Sequence, residues 1–482
     1  MGWINKNGSR LLILWIIILS ILYSLLSILR HNHFQSGGFD LGLYDQAVWQ
    51  YSRFLTPYNT IKERFILGDH LTLTLPLLAP LYYLWDDVRI LLIFQAFWIS
   101  FSTLAIYKLC LKRGFSPFTS LNLSFLYSIF CGIQFAIFFD FHPVVIGVGL
   151  IPWLLYFLES GRKKLFLLTL ILLLLTQENM GIALACLGLI YLFKRKYRRV
   201  ALMFILGGLF WSFLAAKIVA LFSPIGFQYW PEISLNPVKT LTSFWDSEEK
   251  RLVWFYSFSW FSFLPLFSPG AVLAFLLDLS QYFISGKEFS RMWSPFMHHR
   301  AILGPFLILG VLDALNLLKR KGLKPEMVSM VLVVIALAQQ YFFHFPLNKL
   351  AKPAYWQSES WMADNQKLFQ LIPKDASLAT QQNLIPHLSH RRQIYLVWPR
   401  LHDFEGDLCG QKTCWWLDFS GNPKYLVVDL RPNQWLTQIL ESNENFQSAV
   451  LNMERAGKIT LEKEVNFAKL YRIDYQVSVL YH

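Results

Sequence analysis

The side chains best placed to do chemistry are the acids that follow the first apolar run. Residues 31–49, HNHFQSGGFDLGLYDQAVW, set Asp40 and Asp45 among glycines and aromatics. Residues 68–85, GDHLTLTLPLLAPLYYLW, add Asp69 and His70. Carboxylates held against a membrane surface are costly unless they are solvated, paired or used. As a group they point to chemistry on a lipid-linked substrate. Asp69 and His70 are candidates for orienting an acceptor, holding a divalent ion or positioning the base. The plainer role for any one of these acids is loop solvation, or capping of the helix that carries Tyr44 and Trp49.

Other candidates lie far along the chain. Asp140 and His142 stand in DFHP, where a helix cap and turn before Pro143 is the simpler reading. Glu178 interrupts an apolar stretch at Thr176-Gln177-Glu178-Asn179, an unusual place for an acid outside a site. Lys217, Arg291 and Arg300 are basic residues near the expected outer rim, where a long side chain can reach the interface. His298 and His299 precede Arg300 in SRMWSPFMHHRAILG. Interfacial hydrogen bonding for the histidines and membrane anchoring for Arg300 are the structural alternatives. No CxxC pair, zinc-ligand spacing, HExxH or DxD occurs, and Asp86-Asp87 reads as interface charge, so a divalent cation stays open without a metal motif. P-loop, GxSxG and dinucleotide-binding fingerprints are missing too.

The elements that must position these residues are mainly membrane helices. The chain has 482 residues, 55% of them hydrophobic and only 16% charged, with a mean hydropathy of +0.38. Repeated apolar stretches near the ~20 residues that cross a bilayer make it polytopic. Candidate spans are 11–29, 88–109, 120–139, 144–158, 200–222, 300–318 and 326–345. Residues 71–84 read as interfacial, 165–193 as two short helices meeting at Glu178, and 253–285 as a hairpin broken at Ser268-Pro269-Gly270. That makes about ten hydrophobic segments in a membrane domain over 1–345, with a first external loop over 30–87. The first span is followed by Arg30 and His31 and no small-residue cleavage site, so it reads as a retained anchor.

The net charge of +13 belongs to the membrane part. Residues 1–345 carry 29 Lys+Arg against 17 Asp+Glu, whereas 346–482 carry 15 against 14. The excess sits in clusters at Lys6/Arg10, Lys108/Lys112/Arg113, Arg162/Lys163/Lys164, Lys194–Arg199 and Lys319–Lys324, so it sets topology and gives no reason to expect nucleic acid as a partner. The positive-inside rule turns all five clusters and the N-terminus to the cytoplasm and the acidic loops outward. Residues 346–482 lack long apolar runs. Candidate strands 376–380, 393–398, 424–430, 458–464 and 468–473, with helices over 434–442 and 446–456, predict an extracytoplasmic α/β domain. Cys409 and Cys414 are spaced to close a short disulfide there.

FDLGLYDQAVW, GDHLTLTLPLLAPLYYLW, DFHPVVIG, the TQEN break, HHRAILGPFLILG and IPHLSHRRQIYLVWP follow one another along nearly the whole chain. The series resembles an uncharacterised family of polytopic membrane proteins, a domain of unknown function that looks like a branch of the GT-C glycosyltransferases. The resemblance implies an α-helical polytopic GT-C-like fold with interfacial helices and a C-terminal extracytoplasmic domain. It also implies a lipid partner, a polyprenyl-phosphate-linked sugar donor whose leaving phosphate Lys217, Arg291 or Arg300 would stabilise, and a glycan, lipid or protein acceptor whose hydroxyl proton a carboxylate would take. Asp40 matches the first-loop acid of those enzymes and is the implied base, with Asp45 the runner-up. Family members often carry a basic residue before the acid of the mid-chain break. Gln177 stands there, so no fixed ion pair is implied. A transporter or flippase of lipid-linked or small solutes would also use broken helices, though no internal repeat is visible. A non-catalytic envelope assembly protein would need only the outer domain.

Overall fold

The computed structural model describes residues 2–230, 236–404 and 412–475. The protein is mostly helical with a strand-containing C-terminal region. It divides into two compact units. The first comprises Met1–Ile28, Leu67–Leu75 and Leu91–Tyr355, and the second Leu29–Ile66, Pro76–Ile90 and Trp356–His482. The division therefore differs from a single boundary at 345/346. The polar loop expected over 30–87 contributes to both units, most of it to the second.

Among the described residues, five helices are long and apolar enough to cross a membrane: Lys6–Asn32, Arg89–Lys112, Arg195–Phe222, Phe289–Arg320 and Pro325–Phe343. The pair Pro117–Ser128 and Cys131–Phe139, bent by 43°, makes a sixth if counted as one span. The expectation of about ten segments also counted shorter pieces, such as the 17-residue helix Pro143–Glu159. The break expected within 253–285 is present, but it is wider than Ser268-Pro269-Gly270. Glu248–Trp260 ends well before Pro269–Phe283, and Ser262 and Phe263 adopt the left-handed conformation between them. Prolines open several helices at the first turn, where the missing N–H costs nothing. At Pro117 the preceding Ser116 side chain also accepts from Thr119 N–H.

The apolar run over 165–193 is broken as its sequence predicts, into Lys163–Leu174 and Met180–Leu192. A break frees backbone groups that an apolar setting cannot leave unpaired. The neighbouring helix Arg198–Phe222 supplies partners. Trp211 Nε1 donates to Leu174 O at 2.9 Å, and Ser212 Oγ donates to Glu178 O at 2.6 Å while accepting from Ile182 N at 3.0 Å. Two glycines permit this approach. A Cβ on Gly181 would lie 2.3 Å from Gly208 O, and one on Gly208 would lie 2.3 Å from Gly181 O. Small residues at such crossings let backbones touch. Gly208→Val should push the helices apart and cost about 1–3 kcal/mol, the usual penalty of overpacking. A lowered melting temperature of the detergent-purified protein is the expected reading, whereas Gly207→Ala, where a Cβ meets open space, should leave it unchanged.

The second unit is built on a five-stranded sheet in the order Ile394–Leu396, Leu378–Thr380, Tyr425–Asp429, Ala468–Ile473, Ile459–Val465. The first three strands are parallel and the last two pair antiparallel. All five coincide with the strands expected from sequence. Alternate residues feed opposite cores, as the period of two requires. Leu426 and Val428 pack with Phe446 and Val450 of helix Asn443–Arg455. Tyr425 and Val427 pack with Leu368 and Leu384, and also with Phe34 and Ile61 from the loop after the first helix. A hairpin of Trp398–Asp403 and Thr413–Asp418 lies outside the sheet and was not expected. Cys414 is disulfide-bonded, whereas Cys409 lies outside the described residues. Cys110, Cys131 and Cys186 are free and buried.

Candidate functional site

The break at Glu178 gathers most of the candidates of the first unit. Glu178 is buried. Its Oε1 lies 2.7 Å from His70 Nδ1, and its Oε2 accepts from Leu71 N–H at 3.0 Å. Gln177 Nε2 is 3.3 Å from the same His70 nitrogen, so the glutamine at the break joins the pair where a basic residue is absent. Asp69 Oδ1 accepts from the Tyr229 hydroxyl at 3.2 Å, and the Tyr229 ring stacks on His70 with centroids 4.6 Å apart.

A second group adjoins the first. The His142 and His298 rings stack at 3.5 Å, and His298 meets His299 at 4.0 Å. His142 is held from below its helix: Gln95 Oε1 accepts from His142 N–H and Gln95 Nε2 donates to Asp140 O, each at 2.9 Å. His70, His142 and Arg300 all act electrostatically on His298 and His299, which places the two groups together. Arg300 is buried, with Nε donating to Ser294 O at 3.3 Å and Nη2 to Met292 O. Among the described residues its Nη1 has no hydrogen-bond partner, nor does His298 Nδ1 or either ring nitrogen of His299. Backbone carbonyls thus fix the guanidinium and leave one nitrogen and several imidazole atoms to serve a ligand.

Lys217 does not join this cluster through a short contact. It is exposed on helix Arg198–Phe222 and lies over the Phe213 ring one turn back, 5.5 Å from its centre. Arg291 sits in the short helix Lys287–Trp293. Asp278 was missed by the sequence reading. It is buried in helix Pro269–Phe283, close enough to feel Arg300 electrostatically. An acid inside the apolar run FLLDLSQ was the signal.

The two first-loop acids belong to the second unit and differ from each other. Asp40 is half-buried in a π-helical turn, Gly38–Gly42, that leads straight into helix Leu43–Ser52. Such turns are rare and recur at functional sites. The helical run that this turn opens is capped by Gly37, so Asp40 sits in its first turn rather than at its cap. Glycine is required on both sides of it. A Cβ on Gly38 or Gly42 would lie 2.7 or 2.6 Å from Ile385.

Asp45 is fully buried and committed. The Tyr82 hydroxyl and the Ser389 hydroxyl each donate to one of its oxygens. His390 Nε2 lies 3.1 Å from it, and His390 Nδ1 lies 3.1 Å from Asp86 Oδ1. Asp86 also accepts from Arg53 at 2.7 Å. Burial alone would lower the His390 pKa, but the two carboxylates outweigh it and raise it to about 10. The hydrogen bond from His390, helped by Arg53, holds Asp86 below the usual carboxylate range. Asp86 is therefore one arm of a clamp rather than an interface charge. Neither it nor His390 was singled out from sequence, although HLSHRR placed two histidines in a polar stretch. Among the described residues no group of three or more His, Cys, Asp or Glu side chains is arranged to hold a metal.

Several long apolar helices, a broken helix pair carrying a buried acid, and a strand-containing C-terminal region define a multi-pass membrane protein. The chain belongs to the family described as "Predicted membrane protein (DUF2079)", which matches residues 30–408 and so includes all the candidates above. No curated protein matches the sequence.

Proposed function

We propose that this protein is a GT-C-type membrane glycosyltransferase. It moves a sugar from a polyprenyl-phosphate-linked donor to a glycan, lipid or protein acceptor on the outer face. The observation that carries this reading is the buried cluster of the first unit, where the His70–Glu178 pair adjoins His298, His299 and an Arg300 with an unpartnered Nη1. A phosphate leaving a sugar gains negative charge, and fixed donors in a water-poor site stabilise that charge most. Arg300 and the histidines supply such donors, and Glu178 and Asp69 hold His70 and Tyr229 in place. Asp40, half-buried on its π-helical turn, takes the acceptor proton. Asp45 positions the surrounding loop, because its oxygens already bind Tyr82, Ser389 and His390. Arg300→Gln should lower transfer by about 10²–10³, the usual loss on removing one such donor. Comparing glycolipids and glycans extracted from cells with and without the gene tests the function directly. Loss of a glycosylated species supports it, and unchanged profiles in both fractions reject it.

A transporter of lipid-linked or small solutes is the second reading, favoured by the broken pair Lys163–Leu174 and Met180–Leu192. A transferase turns over in detergent micelles, where a transporter has no second compartment. In the proposed orientation the N-terminus and the five basic clusters face the cytoplasm and 346–482 lies outside. Single cysteines placed in the Lys194–Arg199 loop and in the C-terminal domain should label from opposite sides of sealed cells. Labelling of both from one side would move the reaction off the outer face.

A further inference from the structure

The chain passes from the central parallel strand Leu378–Thr380 to Ile394–Leu396 on one side, and only later to Tyr425–Asp429 on the other. Strand order therefore reverses between Leu378–Thr380 and Tyr425–Asp429. In open α/β sheets ligands bind at such a switch point, in the crevice outside the carboxyl ends of the strands. The two carboxyl ends here lead to Gln381 and Asp429, and both are buried. Gln381 Oε1 accepts from Asp429 N–H at 2.9 Å, and Asn365 Nδ2 donates to Asp429 Oδ2 at 2.8 Å. Gln434 Oε1 accepts from Gln381 Nε2 at 3.0 Å and from Asn383 Nδ2 at 3.1 Å.

This amide-rich cluster is incomplete. Among the described residues Asn365 Oδ1, Gln382 Oε1 and Asn383 Oδ1 have no hydrogen-bond partner, although these residues are only 1%, 4% and 3% exposed. Buried acceptors are normally satisfied, so each of these calls for a donor. The amides of Asn365 and Asn383 are already held in the cluster through their nitrogens, which keeps the orphaned oxygens within it. Gln382 faces the turn that carries Asp40. Its carbonyl accepts from Gly38 N–H at 2.9 Å, and a Cβ on Gly38 would lie 2.9 Å from its side-chain oxygen. Arg431 Nε donates to Asp429 Oδ2 at 2.9 Å and balances its charge, so the three neutral acceptors set the selectivity and favour a neutral ligand rich in hydroxyl donors.

We propose that this crevice is a carbohydrate-binding subsite, in which sugar hydroxyls donate to Asn365, Gln382 and Asn383. It stands without the transferase reading. Combined with that reading, it makes the acceptor a glycan. The test uses the full-length protein in nanodiscs with no donor lipid. The probes are neutral tetrasaccharides of glucose, mannose, galactose and N-acetylglucosamine, followed by calorimetry and by hydrogen exchange. At least one should bind and protect the amides of residues 381–383. Gln382→Met removes an oxygen that has no partner in the fold, so it should keep the melting temperature and weaken binding about tenfold, the worth of roughly one hydrogen bond. Failure of every tetrasaccharide to bind at millimolar concentration, or exchange at 381–383 that no sugar slows, overturns the proposal. So does wild-type affinity in Gln382→Met. Sugar binding without any transfer would keep the subsite and reject the transferase, and transfer without sugar binding would do the reverse.

Discussion

Asp40→Asn is expected to cut the sugar-transfer rate by roughly 10²–10⁴, the usual contribution of a general base, in a protein that still inserts and folds. The substitution keeps the shape of the side chain and removes its basicity. The turn around it is also held by Gly38 and Gly42 packed on Ile385 and by the bond from Gly38 N–H to Gln382 O. Helix Leu43–Ser52 continues this turn, and with Asp40 in the first turn after the Gly37 cap, Asn forfeits only one helix-dipole interaction, about 0.3–1 kcal/mol. Asp45→Asn should behave in the opposite way. It leaves Tyr82, Ser389 and His390 facing a neutral amide inside the fold, so its cost falls on stability more than on turnover per folded molecule. Initial rates and melting temperatures of the two purified variants separate these effects. An Asp40→Asn protein with wild-type turnover would return Asp40 to a structural role.

The clamp at His390 is expected to have the largest effect on stability. Truncating one member of a buried charged pair strands the other, at a cost of about 3–5 kcal/mol. His390→Ala strands Asp45, which is 0% exposed, and should lower the melting temperature accordingly. The interaction also has a pH signature. The folded-state pKa of His390 is raised from 6.5 to about 10, so folding favours the protonated ring. Its contribution is complete below the unfolded pKa of 6.5 and is lost as pH rises toward 10. Wild-type stability should therefore decline across that alkaline window, and His390→Ala should flatten the decline. A variant with the same alkaline slope as the wild type would show that His390 is not the titrating group.

Much of the fold was legible because it rests on local periodicity. The five sheet strands read as short β-rich runs in a region without long apolar stretches, and TQEN announced the break before Met180–Leu192. The hairpin of Trp398–Asp403 and Thr413–Asp418 was not legible. Pro399 sits in its first strand, and proline argues against a strand unless it lies at an edge. The pairings among the candidate residues were not legible. His70 and Glu178 are 108 positions apart, and Asp45 and His390 are 345 apart, so only the tertiary fold reveals that one acid orients a histidine and the other is locked by one. Lys217 shows the converse. A lone lysine near a helix end looks like a phosphate ligand in sequence, yet its side chain lies over Phe213 on an exposed helix face.

The most direct measurement is transfer from a labelled polyprenyl-phosphate sugar by the purified protein in detergent, with a glycan and lipid extract from the source envelope as acceptor. Label should move from the donor to an acceptor, and Asp40→Asn and Arg300→Gln should each stop most of that movement. Recovery of the donor intact from the wild-type reaction, with the same protein moving the labelled lipid or a small solute across proteoliposomes, would contradict a transferase and make the chain a transporter.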